Sequence, residues 1–437
     1  MKLHVIAYGC QMSEADGTEM SRPLLERGFT RTSELSEADA VILNTCTVRQ
    51  HAEDRAVSAI GRLREWKEER PERFLIVAGC AAERIGGWLS KRFPFVDLVV
   101  GARSLDQYPR LLEEALRRRF DWLLENEGAW GEDSPQAAPS PVSAFLTVMR
   151  GCNYSCSYCI VPSVRGRESY LPFDRVLEEA RRLAEGGARE LMLLGQTVNS
   201  YRDPGGRGDF ADLLRAVAAV PGVLRLRFMS PHPFFVNERM ARAMAETPQV
   251  CRHLHLPAQS GSDPILKAMR RNYTRAELLS KTAELRRQMP DLELSSDFIV
   301  GFPGETEEDF ALTLTLAGEM GLSAAYCFKY SPREGTPAFA AGDPLPEAVK
   351  EERLARLLDR VGELTRAALR SWQGRKVSVL LRSPDTGRTA HHFNARLDEP
   401  GVPGSAVDAV VTGATDTALK CSAKIALARR ERSVVEY

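Results

Sequence analysis

Three short apolar runs, LHVIAYGC, AVILNTC and FLIVAGC, each end on a cysteine: Cys10, Cys46 and Cys80. Each run has the length and the β-branched, apolar content of a strand buried on both faces. Helix-forming sequence separates them, such as residues 53–70, rich in Ala, Leu, Arg and Glu. Strands and helices alternating at this interval predict βαβ units and a parallel sheet. Ligands of such sheets gather at the carboxyl ends of the strands, and all three cysteines stand there.

The rest of the 437-residue chain is too long for the same core, so further domains are expected. Residues 127–141, EGAWGEDSPQAAPSP, are rich in Pro, Ser, Gly and acid and read as a linker. A second α/β region follows, with strand candidates AFLTVMRG, ELMLLGQ, LRLRFM, HLHLPA, LSSDFIVGF and AAYCFKYS. Helical patterns such as residues 175–185 and Arg275–Gln288 lie between them. Six such strands suit a partial (β/α)6 barrel better than a closed eight-stranded one. A helix is expected over residues 345–371. From Trp372 onward short strands and Gly, Pro and Asp turns predict a small OB-like β-barrel. The expected fold is therefore multidomain α/β, with domains at 1–126, 142–371 and 372–437 around the 127–141 linker.

Lys plus Arg and Asp plus Glu number 59 each, so no global field advertises a nucleic-acid partner. The C-terminal domain is locally basic, with ten basic residues (Arg375, Lys376, Arg382, Arg388, Arg396, Lys420, Lys424, Arg429, Arg430, Arg432) against seven acidic. Phosphate contacts are compatible with that excess, and so is a merely solvated surface. The N-terminus MKLHVIAYGC has no signal-peptide pattern, and no apolar run approaches the roughly 18 residues of a membrane span. A cytoplasmic location and no membrane partner are expected. Nine cysteines in such a chain argue against a disulfide framework and toward metal binding, catalysis or burial.

The sharpest motif is RGCNYSCSYCIVP, which carries Cys152, Cys156 and Cys159 just after the first strand of the second region. Three thiolates on a [4Fe–4S] cluster leave one iron open to bind the amino and carboxylate groups of S-adenosylmethionine (SAM). A structural zinc site would want a fourth ligand, and no further Cys or His lies nearby. Tyr158 is expected beside the cofactor.

With these residues in view, the chain resembles the radical SAM methylthiotransferase family. Within it, the resemblance is to the bacterial branch that makes 2-methylthio-N6-isopentenyladenosine in tRNA. The resemblance covers nearly the whole chain. Its motifs stand here as YGCQMSEAD, NTCTVRQHAEDRA, AGCAAER, CNYSCSYCIVPSVRGRE, LLGQTVNSY, HLHLPAQSGS, DFIVGFPGETEEDF and FKYSPREGTPA. The C-terminal TGRTAHH and VTGATDTALK are similar to the family's RNA-binding TRAM barrel. The resemblance implies a second [4Fe–4S] cluster on Cys10, Cys46 and Cys80; read alone, each of these is more often a buried core cysteine. It implies SAM as both methyl donor and source of a 5′-deoxyadenosyl radical, and a radical attack on C2 of an adenosine beside the anticodon. The partners implied are the tRNA anticodon stem-loop, an electron donor such as flavodoxin, and a sulfur donor.

Several motifs are expected to line the SAM pocket. Gly195 and Gln196 follow a strand and offer backbone groups to the methionyl end. Ile299, Gly301 and Gly304 offer apolar strand and glycine backbone to adenine. Gln259 and Ser260 stand at a strand end. Arg165 and Arg167, just after the cluster loop, suit a carboxylate or an RNA phosphate. His253 and His255 alternate on one strand face and read first as hydrogen-bonded core histidines. His232 is weaker still, and Asn199 is expected toward the substrate. Cys251, Cys327 and Cys421 lack ligand spacing and read as structural.

Alternatives within the family are modification of threonylcarbamoyl-adenosine in tRNA or of a ribosomal-protein aspartate. The cobalamin-dependent class is a poor fit, since the chain has no Asp-x-His-x-x-Gly loop. The alternative from another class is a non-catalytic iron–sulfur RNA-binding sensor.

Overall fold

The computed structural model describes residues 1–48, 50–119 and 141–423. The expected linker lies outside them but for its last position, as do Lys424, Arg429, Arg430 and Arg432. The chain divides into two compact units. The first gathers the described residues of Met1–Ala138 with Arg150–Tyr154 and Cys159–Glu168. The second comprises those of Pro139–Met149, Ser155–Tyr158 and Ser169–Tyr437.

The first unit is a five-stranded sheet of β1 (Lys2–Ala7), β2 (Thr30–Arg31), β3 (Ala40–Thr45), β4 (Phe74–Gly79) and β5 (Leu98–Gly101). Their order is β2-β1-β3-β4-β5 and every pairing is parallel, as the alternating sequence pattern predicts. β3 and β4 lie at the centre and are buried along their whole length, which is why both read as unbroken apolar runs. Helices α1 (Gln11–Leu25), α2 (Gln50–Glu69) and α3 (Cys80–Arg92) lie in the crossovers, and α4 (Tyr108–Arg119) follows the last strand. One apolar layer joins Leu3, Ile42, Ile76 and Val100 to Leu24, Tyr108 and Leu112. The opposite layer joins Val41, Leu43, Leu75 and Val77 to Ile60, Leu63 and Trp66.

The second unit opens with six strands in chain order: β6 (Ser143–Thr147), β7 (Glu190–Leu194), β8 (Arg225–Phe228), β9 (His253–His255), β10 (Glu293–Val300) and β11 (Leu322–Lys329). They form two three-stranded parallel sheets, each in chain order. A parallel bridge between Leu226 and Val250 joins the sheets into one open run of six. Helices between the strands begin where the sequence signals them: Thr274 with Glu277 and Thr306 with Asp309 form reciprocal capping boxes. A single large apolar core fills this half, from Leu146 and Leu193 to Leu294, Phe298 and Phe310.

Helix Glu347–Ser371 ends at Trp372 and leads into a closed five-stranded barrel. Its strands are β12 (Lys376–Leu381), β13 (Thr386–Thr389), β14 (Asn394–Leu397), β15 (Ala406–Ala414) and β16 (Ala418–Ser422). β13 corrects the sequence reading, whose strands do not include TGRT. Four residues with a glycine carry little strand propensity, yet the sheet requires that glycine: a Cβ on Gly387 would stand 2.2 Å from the Leu380 carbonyl oxygen. Among the described residues no helix is long and apolar enough to cross a membrane.

Candidate functional site

In the first unit the three cysteines come from three neighbouring strands. Cys10 follows β1 and caps α1, Cys46 follows β3, and Cys80 follows β4 as the first residue of α3. Two of the thiols thus stand at helix N-termini, where the helix dipole favours a thiolate. Gly9 shows how closely the loops approach, since a Cβ there would lie 2.1 Å from Cys46 Cβ and 2.8 Å from its sulfur. Gly9 also has φ +129°, a conformation L side chains rarely adopt.

The three sulfurs feel one another. A hydrogen bond from Cys46 brings the Cys10 thiol down to about 5, and Arg165 favours its thiolate further. The same bond, with burial, holds the Cys46 proton on. Burial also pushes Cys80 up, as does the Cys10 charge, against the pull of Arg165. Cys10 is exposed while Cys46 and Cys80 are buried, so the group opens to one side. Among the described residues no three His, Cys, Asp or Glu side chains close on one point as a single ion demands. A four-iron cube, in contrast, places each thiolate on its own iron. Three soft sulfur donors at strand ends are the kind of ligand set that holds an iron–sulfur cluster.

Around this group lies a set of charges, largely buried, of which the sequence singled out only Arg165. Asp16, fully buried on α1, accepts from Arg165 Nη2 at 2.7 Å and from Arg150 Nη1. Arg150 Nη2 reaches Glu19 at 2.6 Å. Arg165 Nε donates to Cys80 Sγ at 3.2 Å. Burial alone would raise the Asp16 carboxyl, but the two arginines outweigh it and hold it below the usual range. Arg165 was expected near SAM or a phosphate; its carboxylate partner is the protein's own Asp16, and its other partner is a cysteine. Arg167 is exposed.

The RGCNYSCSYC loop contributes Cys152 and Cys159 to the first unit and Cys156 to the second. Gly151 has φ +77°, and a Cβ there would meet the Arg167 carbonyl at 2.0 Å, so only glycine admits this crossing. Cys152 N donates to the Gly166 carbonyl at 3.1 Å, and Tyr154 N to Cys152 Sγ at 3.4 Å. Ile160 and Val164, on the short helix α5 (Val161–Arg165) and its cap, pack against Cys80 and Ala102.

In the second unit Arg271 Nη1 donates to Cys156 Sγ at 3.3 Å. Its guanidinium carbon lies 4.9 Å from the Tyr273 ring centre, and its Nε donates to the Tyr273 hydroxyl at 2.7 Å. That hydroxyl donates on to the Pro257 and Ala258 carbonyls. Ser157 bonds through its backbone to Met269 and Ala338 and through Oγ to the Ala268 carbonyl, which fixes the middle of the loop. Tyr158 and Ile299, both expected beside SAM, pack on one apolar group of Ile265, Met269, Phe302, Tyr330 and Ala338. Gly195 ends β7, and a Cβ there would lie 2.4 Å from Met149 Cγ. Gln196 next to it is half-buried.

Gln259 has φ +72° and forms a parallel bridge to Phe298 on β10, so its backbone prolongs the sheet toward Ile299. Gly301, at φ +73°, donates to Glu305 Oε2 at 2.6 Å, and Arg353 Nη1 holds the same oxygen at 2.8 Å. Gly304 has φ +88°, and the space into which a Cβ would point is open to 4 Å. Ser260 is fully buried, its hydroxyl 3.4 Å from Thr313 Oγ1 and accepting from Ser262 N. Its side chain is used within the fold. Asn199 is likewise a clamp: its Nδ2 donates to the His232 carbonyl and its Oδ1 accepts from His232 N. It also borders a cavity of about 420 Å³ with Tyr201, Asp203, Phe235 and Asn237. His253 and His255 both bond Ser295 Oγ, at 3.0 and 2.9 Å, and His255 also meets Asp297.

Two family profiles match the chain: the Radical SAM superfamily over residues 146–317 and the uncharacterized protein family UPF0004 over residues 2–101. The chain is 41% identical to the tRNA-2-methylthio-N(6)-dimethylallyladenosine synthase of Sorangium cellulosum, over 99% of this chain and 96% of the relative. It is 40% identical to the enzyme of that name from Pseudomonas syringae, over 96% of this chain and 99% of the relative. Among solved structures, the radical S-adenosylmethionine methyltransferase TsrM of Kitasatospora setae, with cobalamin and a [4Fe–4S] cluster bound, aligns with a TM-score of 0.53 at 16% identity. That alignment covers 77% of this chain and 76% of the other, a likeness of fold. The expected resemblance is thus met along the full length, and the chain belongs to the radical SAM tRNA-2-methylthio-N(6)-dimethylallyladenosine synthase family.

Proposed function

We propose that this chain adds a methylthio group to C2 of N6-isopentenyladenosine beside the anticodon of tRNA. Cys152, Cys156 and Cys159 hold the cluster that engages SAM; Cys10, Cys46 and Cys80 hold the second. The observation that carries the reading is the pair of cysteine triplets, one on the loop after the first barrel strand and one at the ends of three adjacent parallel strands. The near full-length similarity to named synthases supports the substrate.

When bound, SAM and the two clusters supply the 5′-deoxyadenosyl radical, the methyl group and the sulfur, chemistry no side chain provides. The protein's own residues bind and align. Gly151 lets the chain cross itself so that the cysteine loop can close, and Arg271 orients Cys156 through its sulfur. Tyr158, Gly195, Gln196, Gln259, Ile299, Gly301 and Gly304 border SAM at the carboxyl ends of the strands, largely through backbone and apolar surface. Arg167, exposed after the loop, is left for phosphate. The closed C-terminal barrel offers the face on which tRNA docks. The target base is splayed from its loop before it can enter, a cost of a few kcal/mol. A flavodoxin-type electron donor and a separate sulfur donor complete the cycle.

The test is anaerobic reconstitution of both clusters, then incubation with SAM, reductant and tRNA that carries or lacks the isopentenyl group. Mass spectrometry of the digested nucleosides is expected to find a methylthio adduct only on isopentenyl tRNA, with 5′-deoxyadenosine released. Deoxyadenosine without that adduct overturns the substrate and leaves the radical SAM class standing. Neither product, with both clusters verified, overturns the enzyme reading.

A further inference from the structure

The second triplet has a charged partner that the assigned chemistry does not use. Arg165 is 7% exposed, and every named contact of its guanidinium is to a buried group. Nε donates to Cys80 Sγ at 3.2 Å and Nη2 to Asp16 Oδ2 at 2.7 Å. Nη1 is buried and has no hydrogen-bond partner among the described residues. A buried, ionised donor left without an acceptor is costly, so it calls for an acceptor beyond the described residues.

Arg165 is also rigidly held. Asp16 is fully buried, and its carboxylate accepts from Arg165 and Arg150. Arg165 ends α5, whose cap and body pack on Cys80 and Ala102. The segment that begins at Cys159 therefore delivers its last side chain to the other triplet. Holding a full positive charge in place beside a thiolate sulfur is the kind of hydrogen bond that sets the potential of an iron–sulfur centre.

We infer that Arg165, tethered by Asp16, is a positioning residue of the auxiliary cluster: it hydrogen-bonds the Cys80 sulfur and raises the cluster's reduction potential. This rests on the reading that Cys10, Cys46 and Cys80 hold that cluster. A fixed cation stabilises the reduced, more negative cluster over the oxidised one, so removing it lowers the potential. The burial of Asp16 follows from the same role, because the tether keeps the guanidinium from turning away.

The experiment uses the full chain with Cys152, Cys156 and Cys159 all changed to Ala, so that only the second site can bind iron. Iron content, the spectrum of the reduced cluster by electron paramagnetic resonance and its midpoint potential are measured for Arg165, R165Q, R165K and D16N forms. R165Q is expected to shift the reduction equilibrium at least tenfold toward the oxidised cluster, about 59 mV for a one-electron couple, and to change the spectrum. R165K, which keeps the charge, recovers part of the shift, and D16N, which removes the neighbouring anion and leaves the guanidinium uncompensated, shifts the potential upward. An R165Q protein with full iron and unchanged potential overturns the proposal. Should R165Q bind no iron, R165K decides, and an unchanged potential and spectrum there overturn it equally. A parent protein that binds no iron while the wild-type chain does would instead overturn the assignment of the second cluster.

Discussion

At the residue scale, cysteines were legible and most of their charged neighbours were not. Cys10, Cys46, Cys80 and the 152–159 triplet stand out because spacing and strand ends are local properties of a sequence. Arg271 and Asp16 act across 115 and 149 residues of chain, so no local pattern marks them. Arg271 makes its own prediction. With one N–H on Cys156 and its plane over Tyr273, it is tied to the loop's middle cysteine. R271Q should lower 5′-deoxyadenosine formation about 10- to 100-fold, the usual range for losing the hydrogen-bonded neighbour of a metal ligand. Tryptic mapping and circular dichroism should remain as in the unchanged chain, and normal turnover in R271Q would remove Arg271 from the site. Gly195 is a packing constraint of the opposite kind. G195A would drive a methyl into Met149, 2.4 Å away, and should destabilise the second unit by about 1–3 kcal/mol in urea unfolding.

At the element scale, parallel strands were readable because burial on both faces makes them uniform, whereas β13 was hidden by its turn-like composition. The strand end His253–His255 shows what periodicity can and cannot tell. Alternation places both rings on one face, where they share Ser295. It cannot tell that His392, at φ +74° in the turn after β13, stacks on His253 with ring centres 4.2 Å apart. Burial, and then neighbouring cations, hold His253 well below its ordinary value and bring His392 down to about 3. Both rings are therefore neutral in the fold while the unfolded chain takes up protons below about pH 6.5. Below that pH the unfolded state binds more protons, so stability falls as pH drops from about 6.5 toward the folded value near 3. Thermal melts of the chain should show this slope, and H392N, which tolerates the positive φ, should flatten it. An identical slope in H392N would show that other groups carry the acid sensitivity.

At the scale of the whole molecule, the second unit's two architectures were each foreseen but their joint was not. A polar seam binds them. Arg225, on β8, donates to the Ser378 carbonyl at 2.6 Å and to the Arg388 carbonyl. Arg227 donates to the Thr389 carbonyl at 2.6 Å, and Trp372 Nε1 to Glu293 at 2.7 Å. Glu190 is the hub: 1% exposed, it meets Arg227 at 2.6 Å and Arg382 at 2.7 Å. Burial works to raise its carboxyl, but the arginines win and bring it to about 2. In sequence these charges look like interruptions of apolar strands, LRLRFM and ELMLL, because their partners lie far along the chain. Breaking such a buried pair leaves an uncompensated charge, which costs about 3–5 kcal/mol. E190A should therefore weaken the seam by that order and leave Arg227 buried without its carboxylate. R227M in the same chain should restore part of the loss, since it removes the stranded charge as well. The docked barrel is then expected to melt together with the six-stranded core in the unchanged chain, and ahead of it in E190A. Hydrogen exchange resolves the two outcomes: faster exchange confined to residues 376–422 in E190A supports a seam that fastens the C-terminal barrel. Uniform protection in both forms would mean that apolar contacts, such as those of Leu369 and Trp372 with Phe393, hold it without help from the charges.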